Sequence, residues 1–235
     1  MFLLKITYIN HSSFAVELDT CVLLFDYFKG DIPKFSKNKK IYVFSSHGHH
    51  DHFSPKVLKL EKEYDNILYI LSEDIQIKES DKIIFIKEDE KLNINDLQIQ
   101  TLKSTDIGVA FIVNVEGVSI YHAGDLNWWH WEGENSIKEN KEAELMYKKE
   151  IDKIKDYNFD LAFVPLDSRQ GEQYYLGFDT FMKNTNTKIA FPMHFWGDYT
   201  VIDKLKKSIF AQDYKDRVIE ISKVNETFNI NIVCK

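Results

Sequence analysis

Four of the chain's eight histidines and a carboxylate fall within six residues, in His47-Gly48-His49-His50-Asp51-His52. Imidazole and carboxylate are preferred ligands of Zn, Fe and Mn, at roughly 2.0–2.2 Å, and several must converge to displace bound water. His47 and His49 stand two apart, so on a near-extended segment they point the same way. Asp51 and His52 are adjacent and can turn towards a second point close by. The plain alternative is a solvated His-rich loop, and the flanks argue against it. The apolar run Ile41-Tyr42-Val43-Phe44 precedes the cluster, and Ser54-Pro55 follows, with Ser as N-cap and Pro at the first helical position. The cluster therefore reads as the loop from a buried strand into a helix, where α/β proteins commonly build sites.

The other four histidines also fall in segments with chemical content. These are Asn10-His11-Ser12, Tyr121-His122-Ala123-Gly124-Asp125, Trp128-Trp129-His130-Trp131 and Phe191-Pro192-Met193-His194. Histidines scattered over a surface would not sort in this way. By residue type alone, His11 and Asp26 suit turn capping as well as holding a ligand or loop in place. Trp128, Trp129, His130 and Trp131 read as an apolar wall for a substrate, or as packing under the helix that follows. Arg169 and Trp196-Gly197-Asp198-Tyr199 are further rim candidates.

The elements that must position these groups follow from periodicity. Strands are expected over 2–9, 13–18 and 21–25, the last a continuous apolar run ended by Asp26. A charged connection over 27–40 leads to strand 41–44, the histidine cluster and a helix over 55–64. Core strands follow at 67–71 and 83–86, then one antiparallel strand over 92–102 and strands at 109–113 and 118–122. A charge-dense helix is expected over about 137–156. Strand 161–166, a short helix at 178–182, strand 189–191, a helix at 201–208 and closing strands at 217–221 and 228–233 complete the chain. With no repeat, linker or low-complexity tract, a single domain over 1–235 is expected. Two halves that each run from strands to helix suit an α/β, αββα four-layer sandwich, with two mixed sheets inside and helices outside.

Composition narrows the function. The chain has 235 residues, 44% hydrophobic and 14% aromatic, as in a folded domain with a substantial core. Its net charge is −7 and its one basic cluster is Lys37-Asn38-Lys39-Lys40, which disfavours nucleic acid as an obligate partner. Cys21 and Cys234 are too sparse for a disulfide framework and read as thiols of a reducing compartment. The start, Met1-Phe2-Leu3-Leu4-Lys5, has neither a basic region nor a long apolar one, so a cytoplasmic protein without signal peptide or membrane span is expected.

His47-x-His49-x-Asp51-His52 resembles the signature of the metallo-β-lactamase-fold hydrolases, and the Tyr121–Asp125 and Phe191–His194 segments follow in the matching order. The opening His11-Ser12-Ser13-Phe14, then an apolar strand ending in Asp26, is similar to the start of many members. The resemblance implies that His47 and His49 hold a first metal ion, that Asp51, His52 and His194 hold a second, and that Asp125 bridges them. His11 and Asp26 would support those ligands. Two divalent ions about 3.5–4 Å apart, zinc first and iron or manganese as alternatives, would supply a nucleophilic water near neutral pH, with Asp51 orienting it and taking a proton. The family usually supplies a third histidine to the first metal, and no histidine lies between His52 and His122 here. Asp106 is the ligand-type residue nearest that place. Either Asp106 substitutes, favouring Fe or Mn, or the first site is weak and one ion binds, or His122 or His130 swings in.

Within the superfamily, the opening, the Tyr121–Asp125 segment and the length resemble the ascorbate-phosphate lactonase-like branch. That implies a small ester, lactone or phosphodiester substrate with anionic character. The tRNA-maturing ribonucleases are not the expected branch, since no Gly-rich or basic insertion stands for their RNA-gripping arm, nor are the flavin-coupled diiron oxidoreductases, which would have a carboxylate where His49 stands. A non-catalytic metal-binding or sensing protein, with an impaired first site, is the competing reading.

Overall fold

The computed structural model describes residues 2–232, so Cys234 and the end expected for the last strand lie outside the described residues. Two mixed sheets face each other. In the first, β1 (Phe2–Asn10), β2 (Ser13–Glu17) and β3 (Cys21–Phe25) form an antiparallel meander, which β4 (Lys40–Ser45), β5 (Ile67–Ser72) and β6 (Ile83–Ile86) extend in parallel. In the second, β7 (Lys91–Ile94), β8 (Leu97–Lys103), β9 (Val109–Val115) and β10 (Val118–His122) are antiparallel, and β11 (Asn158–Pro165) and β12 (Asn186–Met193) continue in parallel. The last strand, β13 (Glu226–Ile232), returns to the first sheet beside β1.

Alternation explains why the central strands of the first sheet, β3, β4 and β5, carry continuous apolar runs. Phe14, Val16, Leu23, Phe25, Tyr42, Phe44 and Ile70 point at the second sheet. Their neighbours Ala15, Val22, Leu24, Ile41, Val43, Tyr69 and Leu71 point outwards, into a second core with Tyr27, Phe35, Phe53, Val57 and Tyr64. A strand covered on both faces gains nothing from polar residues. Between the sheets, Phe163 lies against Phe14, Phe25 and Phe191.

Three α-helices are described: α1 (Ile137–Asp152), α2 (Leu176–Asn184) and α3 (Thr200–Lys207). A reciprocal capping box starts α1, with Ser136 accepting from the Glu139 amide and the Glu139 carboxylate accepting from Ser136. Phe181 of α2 stacks on Tyr121 of β10, placing this layer outside the second sheet.

The sandwich is as expected, with local corrections. The outer layer of the first sheet is a 3-10 stretch, Pro55–Lys62, and Ser54 makes no side-chain cap there. The single strand expected over 92–102 is the hairpin β7–β8, turned at Asn95 with φ 52°. The strand expected over 217–221 is a 3-10 turn, Lys215–Arg217, with one isolated bridge from Val218 to Ala190.

Candidate metal centre

The site lies on one edge of the sandwich, where the loops after β1, β4, β8, β10 and β12 end together. The histidine loop after β4 is pinned before it contributes its side chains. The Ser46 amide donates to Asp26 Oδ1 at 2.7 Å and its carbonyl accepts from Val109 N at 2.9 Å, tying the histidine loop to both sheets. The His52 and Phe53 amides both donate to the His49 carbonyl at 3.0 Å, a tight turn that folds Asp51 and His52 back over His47 and His49. Gly108 and Gly124 press on this loop at φ 75° and 52°. A Cβ on Gly108 would sit 2.0 Å from Ser46 O, and one on Gly124 would sit 2.6 Å from Ser46 Cβ, so neither position admits a side chain.

Eight groups converge as two clusters, whose ligand atoms lie within 4.8 Å of one another in each: His47, His49, Asp106 and Asp125; and His11, Asp51, His52 and His194. Asp125 faces both. Its Oδ2 is 3.5 Å from His47 Nε2, and its Oδ1 is 3.1 Å from His52 Nε2 and 3.3 Å from His194 Nε2. In the first cluster His49 Nδ1 lies 3.1 Å from His47 Nε2 and 3.6 Å from Asp106 Oδ2. In the second, Asp51 Oδ2 lies 3.4 Å from His11 Nε2, 3.9 Å from His52 Nε2 and 4.0 Å from His194 Nε2.

A further layer fixes which ring nitrogen each histidine presents. Asp26 Oδ2 accepts from His52 Nδ1 and from Ser46 Oγ, both at 2.7 Å. Ser46 Oγ, its proton spent on Asp26, accepts from His47 Nδ1 at 3.0 Å. Asp167 Oδ2 accepts from His194 Nδ1 at 3.0 Å. With Nδ1 protons held outside, the Nε2 lone pairs of His47, His52 and His194 point inwards, the usual arrangement behind metal-bound imidazoles.

The residues present fit divalent cations on two grounds. Buried polar atoms are normally partnered, yet His52 Nε2, Asp125 Oδ1 and both ring nitrogens of His11 have no hydrogen-bond partner. The electrostatics ask for positive charge at the same place. Burial alone would lift Asp125, but His52 and His194 hold it well below the usual carboxylate range. Burial alone would lower His52, but Asp125 and Asp26 hold it well above the usual imidazole range. His11, which no carboxylate flanks so closely, is pushed by burial down to about 4, which keeps its ring neutral.

Above the clusters opens a cleft of about 650 Å³, lined by His49, Asp51, Asp106, Asp125 and His194 together with Trp129, Trp131, Trp196 and Arg169. Trp129 is held by its Nε1–H donating to the Asp125 carbonyl at 3.0 Å. Two of the four residues expected on this wall lie elsewhere. Trp128 packs on the core, with its carbonyl accepting from Gln170. His130 pairs with Glu132 at 2.9 Å, on a neighbouring depression. His122 is also turned away: it is fully buried, its Nε2 donates to the Ser12 carbonyl at 3.0 Å, and its Nδ1 accepts from Gly124 N. His50 is exposed. Of the three possibilities for the first cluster's missing histidine, Asp106 is therefore the one whose side chain stands among the ligand atoms.

Two residues take parts that sequence reasoning did not give them. His11, expected in support, lies in the ring of ligand atoms itself. Asp167, singled out by nothing in its local sequence, holds His194. Its one signal is the neighbouring Arg169, with which it pairs.

The family described as "Beta-lactamase superfamily domain" matches residues 5–139. No curated protein matches. Among solved structures, the chain is similar to Igni18, a metallo hydrolase from Ignicoccus hospitalis, at 17% identity and TM-score 0.66, covering 98% of this chain and 100% of that one. It is also similar to the metallo-β-lactamase fold protein YhfI from Bacillus subtilis, at 15% identity and TM-score 0.63, covering 97% and 100%. A third likeness is to CmlA, a diiron β-hydroxylase from Streptomyces venezuelae, at 10% identity and TM-score 0.59, covering 98% of this chain and 54% of that one. At such identities these likenesses are of fold, and that fold is shared by a metallo hydrolase and a diiron β-hydroxylase. The match over 5–139 and the sandwich together make this chain a member of the β-lactamase superfamily, in the metallo-β-lactamase fold.

Proposed function

We propose that the protein is a metal-dependent hydrolase of small ester, lactone or phosphodiester substrates. The observation that carries the reading is the pair of clusters sharing Asp125, one of its carboxylate oxygens facing each. Two divalent ions, when bound, supply an acidified water as nucleophile and a Lewis acid for a substrate oxygen. Asp51 is placed to orient that water and accept its proton at Oδ2. Burial alone would raise this carboxyl, but His11 and His52 hold it below the usual carboxylate range, so it enters the reaction ionised. The same oxygen can return the proton to the leaving group. His11 Nε2 lies 3.4 Å from the same oxygen.

Asp106 makes the first cluster richer in oxygen than a three-histidine set, which favours iron or manganese beside zinc. It also supports two ions over one, and thus an enzyme over a binding or sensing protein. The lactonase-like reading of the substrate rests on the sequence resemblance. No described helix is long and apolar enough to cross a membrane. The test is elemental analysis of protein purified without added metal or chelator, followed by an ester, lactone and phosphodiester panel with Zn, Mn and Fe. About two ions per chain with turnover of one class is the expected result. One ion and no turnover would favour the binding or sensing role.

A further inference from the structure

The cleft wall away from the histidine loop has a composition the rest of the chain avoids. Of the 30 Lys and Arg residues, two are arginines, Arg169 and Arg217. Arg217 donates to the Thr187 carbonyl, away from the cleft. Arg169 lines the cleft, and among the described residues no lysine does. Three of the four tryptophans line the same cleft.

Their geometry is built. Arg169 Nε donates to both oxygens of Asp167 at 3.0 Å and Nη2 to Oδ2 at 2.5 Å, while the Arg169 amide donates to Oδ1 at 2.9 Å. Asp167 is fully buried, so the guanidinium plane is fixed although the side chain is 49% exposed. Of five N–H donors on a guanidinium, Nε–H and one on Nη2 are spent, which leaves the Nη1 edge of the fork open. The Arg169 Cζ lies 4.8 Å from the Trp196 ring centroid and 5.7 Å from that of Trp131. Trp129 is parallel to Trp131 within 2° and 5.4 Å from His194. Trp196 is 45% exposed and held at φ 51°, against both preference and solvation, with its ring 4.4 Å from that of His11.

A structural ion pair alone would explain Asp167 and its hold on His194. It would not explain an open guanidinium edge between the exposed indole of Trp196 and the half-buried one of Trp131, on the one Lys or Arg among the described residues that lines the cleft with Asp51, Asp106 and Asp125. We propose that Arg169 is the anion-docking residue of the cleft, taking a substrate with a carboxylate or phosphate group beside a flat or apolar body, which lies against Trp196, Trp131 and Trp129. The inference rests on the hydrolase reading in placing the labile bond over the metal clusters. A planar oxyanion matches the fork of an arginine better than the point charge of a lysine.

The test reads binding on the metal-loaded full-length protein, by tryptophan fluorescence. Its probes are benzoate, phenyl phosphate, benzamide and inorganic phosphate. Benzoate and phenyl phosphate should bind saturably and benzamide roughly tenfold or more weakly, the usual worth of a charge-assisted bond. Arg169→Met should abolish that preference, and Arg169→Lys, which keeps the charge beside Asp167, should recover part of it at unchanged metal content. Trp196→Leu should weaken benzoate and phenyl phosphate while sparing inorganic phosphate. The ratio of the two aromatic anions decides between carboxylate and phosphate. Equal binding of benzamide, no binding of any aromatic anion, or an Arg169→Met protein that binds anions like the parent would each overturn the proposal. Turnover is measured separately. An enzyme that hydrolyses its panel without Arg169-dependent binding sinks this inference alone, whereas anion binding without turnover of any class sinks the hydrolase reading alone.

Discussion

Replacing Asp26 with Asn changes one atom and sets two buried hydrogen bonds against each other. Asp26 is fully buried, with Oδ1 accepting from the Ser46 amide and Oδ2 from Ser46 Oγ and His52 Nδ1. An amide has one oxygen. If it faces His52, the NH₂ confronts the Ser46 N–H. If it faces Ser46 N, the NH₂ confronts His52 Nδ1, and the imidazole must move its proton to Nε2, the atom that faces Asp125. Each arrangement leaves a buried donor without an acceptor, at about 1–3 kcal/mol. The backbone is not the cause, since Asn tolerates the left-handed φ of 43° at this position. The expected results are metal affinity lower by roughly 10–100-fold, the usual cost of losing such support, and a thermal midpoint lower by about 2–4 °C per kcal/mol for a chain this long. Competition against a chelating dye and a melting curve at saturating metal measure the two separately. An Asp26→Asn protein that holds metal as tightly as the parent would refute the claim that Asp26 sets the His52 tautomer.

The other expectations are briefer. Asp106→Ala should lower bound metal from about two ions per chain to about one by elemental analysis, and Asp106→His should restore it; unchanged content in Asp106→Ala would remove Asp106 from the ligand set. Gly108→Ala should cost more than about 2 kcal/mol in urea unfolding, from the left-handed backbone and the contact with Ser46 O together, and should displace His47. Asp26, Asp125 and Asp167 share an acid response. Burial would raise each, and His122 with His52, His52 with His194, and His194 with Arg169 respectively hold them below the ordinary 3.8. Folded values below unfolded ones give stability that is present above about pH 4 and lost as pH falls through the folded values. Urea midpoints should therefore drop steeply below about pH 4, and Asp26→Asn should flatten part of that drop.

The histidine loop was legible because its information is local: residue types, a spacing of two, and an apolar strand before it. The two-sheet architecture was legible for the same reason, since runs such as Cys21–Phe25 announce strands covered on both faces. What escaped depends on which chain ends share an edge of the sandwich. Nothing near His11 in sequence says that its ring will lie 4.2 Å from that of His194. Nothing near Asp167 says that β12 will deliver His194 beside it. The β7–β8 hairpin could have been read. Leu92 and Ile94 keep period two, Leu97 and Ile99 keep it again, and the step of three between them marks the turn. Trp128 was misplaced because a tryptophan-rich loop does not declare which of its alternate rings faces the core.

The same edge of the sandwich concentrates unfavourable backbone. His11, Asp26, His194 and Trp196 all have φ between 43° and 64°, a region that costs a non-glycine residue roughly 1–2 kcal/mol. Each is held by its neighbours: the His11 amide donates to Tyr8 Oη at 2.9 Å, the Asp26 amide to the Phe44 carbonyl at 2.9 Å, His194 Nδ1 to Asp167, and the Trp196 ring lies 4.4 Å from that of His11. Strain at one such residue would be an accident of a loop, but four of them surround one set of inward-facing nitrogens and oxygens. The strands stop short of the edge and the turns reverse sharply, so that side chains from distant parts of the chain arrive within one bond network of each other. Rigid sheets supply the restraint that holds the turns in place, and the turns supply the convergence that straight strands cannot. A centre assembled in this way is held in its geometry by the protein, so a bound ion does not have to reorganise it.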